Sequence, residues 1–368
     1  MEPSPAPFTV FLGPYHPDLE EALVSEIRRY KAEAPLAPLL VLTPSNALRH
    51  RLRLLLAQEH RLSLLNVFFL TFHALSLKLF EELEGDRDPL LRDDLFFEET
   101  LRHLLRKTDF PPFSGLDQTT GGCAALWQTL RDLRDGCADP DALHAALMDG
   151  HLSKMARPAL SVYQRWSAKN TTWGVRSDSD LDREVLLHLP ASPFLKTVRR
   201  VLYYGFYDLT QAQIDLFQAI VRHVPTTLFF PLIEGNPDWI FAQRFYERYV
   251  HGLVTDPVHV KKWSGPPGPT PTSSPSCTIV SCAGAEEEAA IVAGEIVRLV
   301  EAEGWAFEEI GVVARTLTPY TERCLSRFAE QGIPTTCAAE TLLLRFPLAH
   351  TALLLMRLPG DDYPRAEM

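Results

Sequence analysis

Three short apolar runs, each followed directly by a helical pattern, fill the stretch from Phe8 to Glu82 and leave few folds open. The first, FTVFLG from Phe8, breaks at Gly13-Pro14 and passes into a helix that opens on Pro17 and runs to about Lys31. The second, Leu36 to Thr43, lacks polar alternation, as expected of a parallel strand buried on both faces. Ser45 then stands as N-cap of a helix over Asn46 to His60, with Leu48, Leu52, Leu55 and Leu56 on one face and Arg49 and Arg53 beside them at i,i+4 spacing. Asn66 to Thr71 reads as a third strand and Phe72 to Glu82 as a third helix. Alternation of this kind calls for crossover connections, and so for a parallel sheet.

From Gly85 the pattern changes to helices alone, with apolar spacing through Leu95–Leu105, Ala124–Leu133, Pro140–Leu147 and Ala156–Trp166. Strand and helix resume near Thr197: VRRVLYYGF is a strand, Leu209 to His223 a helix that starts near Thr210, and TTLFFPL a strand. Ser264 to Ser276 is a Pro-, Gly- and Ser-rich linker that cannot build a core. Beyond it, strands are expected at Cys277–Cys282 and Ile310–Ala314 and helices at Glu286–Glu303, Thr318–Gln331 (stopped by Gly332) and Leu348–Leu358. The expected division is a first α/β part over 1–84, a helical insertion over 85–195, a second α/β part over 196–263, the linker over 264–276 and a further α/β domain beginning at 277–368.

Strand, glycine turn and helix in that order form the frame in which phosphate-binding loops hold nucleotides. A working loop reads G-x-x-x-x-G-K-[ST], with amides around the phosphates, a Lys on the β/γ oxygens and a hydroxyl on Mg²⁺. Counted from Gly13, the second Gly position holds Asp18, the Lys position Leu19 and the hydroxyl position Glu20. Two carboxylates therefore stand where a triphosphate would sit. Taken alone, the stretch fits both a decayed nucleotide loop and an unrelated strand-to-helix turn.

The formal net charge of −11 argues against a surface coated for non-specific nucleic-acid binding, which depends on Lys and Arg displacing counterions. Local basic clusters occur at Arg49, Arg51, Arg53 and Arg61, at Lys154, Arg157, Arg165 and Lys169, and at Lys196, Arg199 and Arg200. No apolar run approaches the roughly 20 residues that span a bilayer, and MEPSPAPF lacks the basic start and apolar core of a signal peptide. Six cysteines without a CxxC pair suit reduced thiols in the cytoplasm rather than a metal site.

With these pieces in order, the chain resembles the first half of a UvrD-like superfamily 1 helicase, and more narrowly the AddB-like component of AddAB-type helicase-nucleases. The residues that carry the likeness are the loop position after Phe8–Gly13, VLTPSNALRHRL, NVFFLTFHAL, VLYYGFYDLTQAQIDLF, AEEEAAIVAGEIVRLV, IGVVART and GIPTTC. The resemblance implies an α/β fold with a P-loop NTPase-like (RecA-like) parallel sheet, an inserted all-helical domain and the beginning of a second α/β domain. It implies DNA contacts at Thr43, Ser45, Asn46 and Arg49, and at Thr71, Phe72 and His73. Plain N-capping by Ser45 and a core role for Phe72 stand beside those readings.

The same resemblance places the magnesium-holding acids of a working helicase at Tyr204 and Gly205, and a nucleotide-reaching arginine at Arg315. Together with Asp18, Leu19 and Glu20, these positions imply a degenerate nucleotide site and a chain that is not itself an enzyme and needs no cofactor, while a longer protein would carry a nuclease domain. The implied partners are single-stranded DNA and a UvrD-like, AddA-like motor subunit in double-strand-break repair and recombination, with no membrane. The alternative is a scaffold that holds the motor subunit without touching DNA. Asp208 reads as a helix cap, Glu286-Glu287-Glu288 as a helix-dipole complement, and Trp127, Trp166 and Trp173 as core or base-stacking residues.

Overall fold

The computed structural model describes residues 6–140, 142, 143, 145, 156–205, 209–233, 235–253, 260–262, 277–315, 320–337 and 346–357. The chain divides into two compact units, Met1–Thr270 and Pro271–Met368. In the first unit the apolar runs become a parallel sheet of β1 (Phe8–Gly13), β2 (Leu39–Leu42), β3 (Val67–Leu70), β4 (Arg200–Tyr204), β5 (Thr226–Pro231) and β6 (Val260–Lys262). Their order is β3-β2-β4-β5-β1-β6, and every pairing is parallel. β2 and β5 are buried at every position, which accounts for the apolar run LLVL of β2 and for LFFP in β5, where Thr226 and Thr227 are buried as well.

Alternate strand residues separate into two cores, as a two-residue pleat requires. Val10, Leu12, Leu40, Leu42, Val201, Tyr203 and Phe230 enter one; Phe11, Leu39, Val41, Leu202, Tyr204 and Phe229 enter the other. The second core is closed by α1 (Glu20–Glu33) and α2 (Asn46–Leu54), the latter running on as a wider turn to Glu59. On the first core lies α3 (Phe72–Glu84), through Leu75, Leu79 and Phe80.

Between β3 and β4 the described chain is helical. Helices α4 (Asp94–Lys107), α5 (Thr120–Asp135) and α6 (Ala156–Trp173) bury a core of their own around Phe97, Leu101, Trp127, Leu130 and Trp166. The indole of Trp166 donates to Phe97 O at 3.3 Å and to Thr100 Oγ1 at 3.1 Å, so Trp127 and Trp166 are core residues. Trp173 is exposed, with Lys169 Nζ 4.7 Å from its ring centre. The chain then returns to the sheet through α7 (Asp178–Leu186), opened by a Ser177/Asp180 capping box, and the short α8 (Pro193–Thr197). Helix α9 (Gln211–His223) packs beside α7 on the first core, and α10 (Ile240–Phe245) follows β5. The α/β class expected from the sequence holds, with a RecA-like parallel sheet and an all-helical stretch between its third and fourth strands.

The second unit is built from α11 (Ala285–Glu303), α12 (Tyr320–Glu330) and α13 (Pro347–Arg357). Ala293, Ile296, Phe328 and Ile333 form its core. Glu286 at the start of α11 pairs with Arg327 at 3.1 Å and Arg323 at 3.4 Å. The strands expected at Cys277–Cys282 and Ile310–Ala314 are corrected here: neither joins a ladder among the described residues. A β-prone run becomes a strand only when another pairs with it, and Ile279 and Val313 are left 92% and 94% exposed. The Ser264–Ser276 linker, Phe206–Asp208 and much of the Pro140–Leu147 helix lie outside the described residues. Among the described residues no helix is long and apolar enough to cross a membrane.

Candidate functional site

The loop after β1 and the end of β4, expected from the sequence to be two halves of one site, meet in space. Leaving Gly13, the chain makes a wide turn over Tyr15–Leu19 before α1. Tyr15 Oη donates to the carbonyl of Gly205 at 3.3 Å, and Tyr204 Oη donates to the carbonyl of Tyr15 at 3.2 Å. Gly205 sits at φ +78°, and a Cβ there would lie 2.8 Å from Tyr15 Cε1, so only glycine fits. Leu19 is fully buried in the second core. Glu20 is held by His16 Nδ1 at 2.9 Å and by Arg51 of α2 at 3.6 Å, and Arg51 also pairs with Glu59. Burial pushes the Tyr204 phenol far above its ordinary value. Asp18 Cβ stands 3.4 Å from where a Gly13 Cβ would be. Aromatic and ion-pair contacts thus fill the turn between the two strand ends. Arg315 is exposed in the second unit.

A groove forms where α2, α3 and α9 begin, at the C-terminal edge of the sheet. Ser45 Oγ accepts from Leu48 N at 3.2 Å and Thr71 Oγ1 from Ala74 N at 3.2 Å, so both cap their helices. Thr210 and Gln213 form the capping box of α9. Ser45, Asn46, Thr71, His73, Leu209 and Gln213 line a cavity of about 280 Å³. Helix N-termini gathered at one sheet edge give it a positive potential from oriented amides.

Of the residues carried over as DNA contacts, Thr43 and Phe72 are buried: the Thr43 hydroxyl donates to Ser45 O at 3.4 Å, and the Phe72 ring stands edge-on to Tyr203 at 5.4 Å. Phe72 lines the groove, and Thr43 does not. Ser45, Asn46 and His73 are exposed, and Thr71 and Arg49 half-buried.

His73 carries a partner that sequence reasoning missed. Its Nδ1 lies 3.1 Å from Asp178 of α7, which raises the imidazole pKa and lowers that of Asp178. One turn on, buried Asp182 accepts from Ser76 Oγ at 2.5 Å, and burial pushes its carboxyl up to about 6. The one local sequence signal for this helix is the Ser177-x-x-Asp180 cap.

Several residues of the basic clusters make contacts of their own. Arg165 lies over Phe110, Lys169 over Trp173, Arg199 against Glu33 and Arg200 over Tyr30. Among the described residues no group of three or more His, Cys, Asp or Glu side chains could hold a metal ion.

No family model matches the chain. It is similar to the AddB-type component of the ATP-dependent helicase/deoxyribonuclease of Symbiobacterium thermophilum, with 24% identity over 362 aligned residues that take in 84% of this chain and 30% of the relative. The chain thus spans less than a third of that relative's length. The match corrects the expectation of a chain that is not an enzyme, because the relative is named as part of an ATP-dependent enzyme, which points to enzymatic activity in the family. Of the likeness first drawn from the order of sequence elements, this match supports the AddB-type part.

Proposed function

We propose that this chain is a DNA-handling, helicase-like part of a helicase-deoxyribonuclease in double-strand-break repair and recombination, working beside a motor helicase subunit. Single-stranded DNA runs along the groove at the start of α2 and α3. The observation that carries this reading is the convergence of capped helix N-termini with Ser45, Asn46, Thr71 and His73 on one cavity. Short hydroxyl and amide groups at helix starts suit phosphate oxygens, which position a strand without reading its sequence. Arg49 and Arg53 extend the track along α2 and make no ion pair among the described residues, so their charge remains for the backbone. With a net charge of −11, the remaining surface repels DNA and confines it to the track.

Fluorescence anisotropy with labelled single strands tests the reading. Binding should weaken with salt, and Arg49→Ala with Arg53→Ala should lower the affinity several-fold and reduce the salt slope by about 1.4. No salt-sensitive binding, by the chain alone or with its motor partner, refutes the DNA track. The scaffold reading, which the net charge favours, then remains, and it predicts capture of the motor subunit without a DNA crosslink.

A further inference from the structure

At the opposite edge of the sheet, where β1, β4 and β5 begin, lies an open cleft of about 540 Å³ lined by Glu26, Arg29, Tyr30, Glu33, Arg199 and Arg200 among others. Three guanidinium groups meet two carboxylates there. Glu26 takes Arg29 through two hydrogen bonds, at 3.1 and 2.6 Å. Glu33 pairs with Arg199 at 3.1 Å and lies 3.9 Å from Arg29. Arg200 receives neither carboxylate.

Its guanidinium lies 4.9 Å from the Tyr30 ring centre, a ring that Arg29 also overlies at 4.3 Å. Among the described residues its side-chain hydrogen bond goes to a neutral acceptor, Thr227 Oγ1, at 3.1 Å. Among the described residues it forms no ion pair, although it is half-buried. Desolvation, with the like charges of Arg29 and Arg199 behind it, lowers its pKa against the fields of Tyr30 and Glu26, which marks a cation incompletely compensated by the chain.

The guanidinium is also held in place. Arg200 opens β4 in register with Leu39, and buried Tyr30 is itself fixed by the hydrogen bond it accepts from Arg29 Nη2 at 2.7 Å. A positioned planar guanidinium with unused N–H donors matches an oxoanion through paired hydrogen bonds. We propose that this cleft is an oxoanion site that takes a phosphate group on Arg200. Glu26, Glu33 and the C-terminal turn of α1 bring negative potential to the other wall, so the anion sits against Arg200 rather than at the centre of the cleft.

Phenylglyoxal modification of the full chain, read by peptide mass mapping, tests this with inorganic phosphate as the first probe and a short single-stranded oligonucleotide as the second. Phosphate should slow modification of Arg200 several-fold and leave that of Arg49 unchanged. Protection by phosphate alone assigns the site to free phosphate; protection by the oligonucleotide as well assigns it to a nucleic-acid backbone. In phosphorus NMR the wild-type chain should broaden the phosphate line, Arg200→Gln should abolish that broadening, and Arg200→Lys should keep part of it. The Arg49→Ala, Arg53→Ala variant should retain Arg200 protection, which separates this site from the DNA groove. Arg200 modified at equal rates with and without both probes overturns the proposal. That wild-type result decides the matter even where Arg200→Gln does not fold.

Discussion

Tyr15 and Gly205 stand 190 positions apart in the chain and are joined by a 3.3 Å hydrogen bond. Gly205 is constrained twice, by its φ of +78° and by the Tyr15 ring 2.8 Å from any added Cβ. Gly205→Ala should therefore destabilise the first unit by about 2–4 kcal/mol in urea unfolding, combining left-handed backbone strain with overpacking. Adding Tyr15→Ala should relieve the steric part, so that the double variant loses less than the two single losses combined. Strict additivity would show that the ring contact carries no energy.

Leu19→Lys places the lysine of a working nucleotide loop at a fully buried position. The change loses about 2–3 kcal/mol of apolar burial and introduces an unpaired charge. The variant should fail to give a cooperative thermal transition. Asp18→Lys, at a half-buried position, should shift the melting temperature far less. Equal behaviour of the two would contradict the burial of Leu19.

Asp182 gives a pH dependence of definite sign. Its carboxyl keeps a proton up to about pH 6 in the fold, against an ordinary value of 3.8. Between those values the folded chain binds the extra proton, so stability falls as pH rises through that window and levels off above it. Asp182→Asn removes the drop and still accepts from Ser76. It should be more stable than wild type at pH 7 by about 2–3 kcal/mol and show little advantage at pH 4, by urea midpoints. Parallel pH profiles would refute the prediction.

The His73–Asp178 pair bears on the groove. The raised His73 pKa means that its share of stability is full below the ordinary value of 6.5 and is lost as pH rises through the higher folded value. The lowered Asp178 pKa means that its share is present above 3.8 and is lost as pH falls through the folded value. Asp178→Asn takes a negative charge from the groove rim and frees His73. Single-strand affinity should rise by about threefold at low salt both where His73 is protonated and at alkaline pH, because Asp178 is ionised in both. An unchanged affinity at both pH values would separate His73 from the track.

The sheet was readable because parallel strands announce themselves. Leu39–Leu42 and Leu228–Pro231 are apolar runs between helical patterns, and Ser45 and Thr210 cap the helices that their sequences marked. β6 is only Val260–Lys262, too short to show a period. α7 was missed because its polar face carries Asp178, Asp182 and Arg183, and the partners that use the first two, His73 and Ser76, are about a hundred residues away. For the same reason the closure of the Gly13 turn by Tyr15 and Tyr204 could not be read locally. Cys277–Cys282 and Ile310–Ala314 misled in the opposite direction, since propensity says nothing about the availability of a neighbour.

The order of strands also dictates when the sheet can close. Among the described residues β1 pairs with β5 and β6, and β2 with β3 and β4, so β1 and β2 do not pair with each other. Their connection waits for β4 and β5, whose last residue is Pro231. At about 5–20 residues per second, a ribosome takes on the order of ten seconds or more to supply them. During that interval Phe8–Gly13 is a nascent hydrophobic segment without a mate, suited to a chaperone. The helices α4 to α6, with a core of their own, can collapse while it waits.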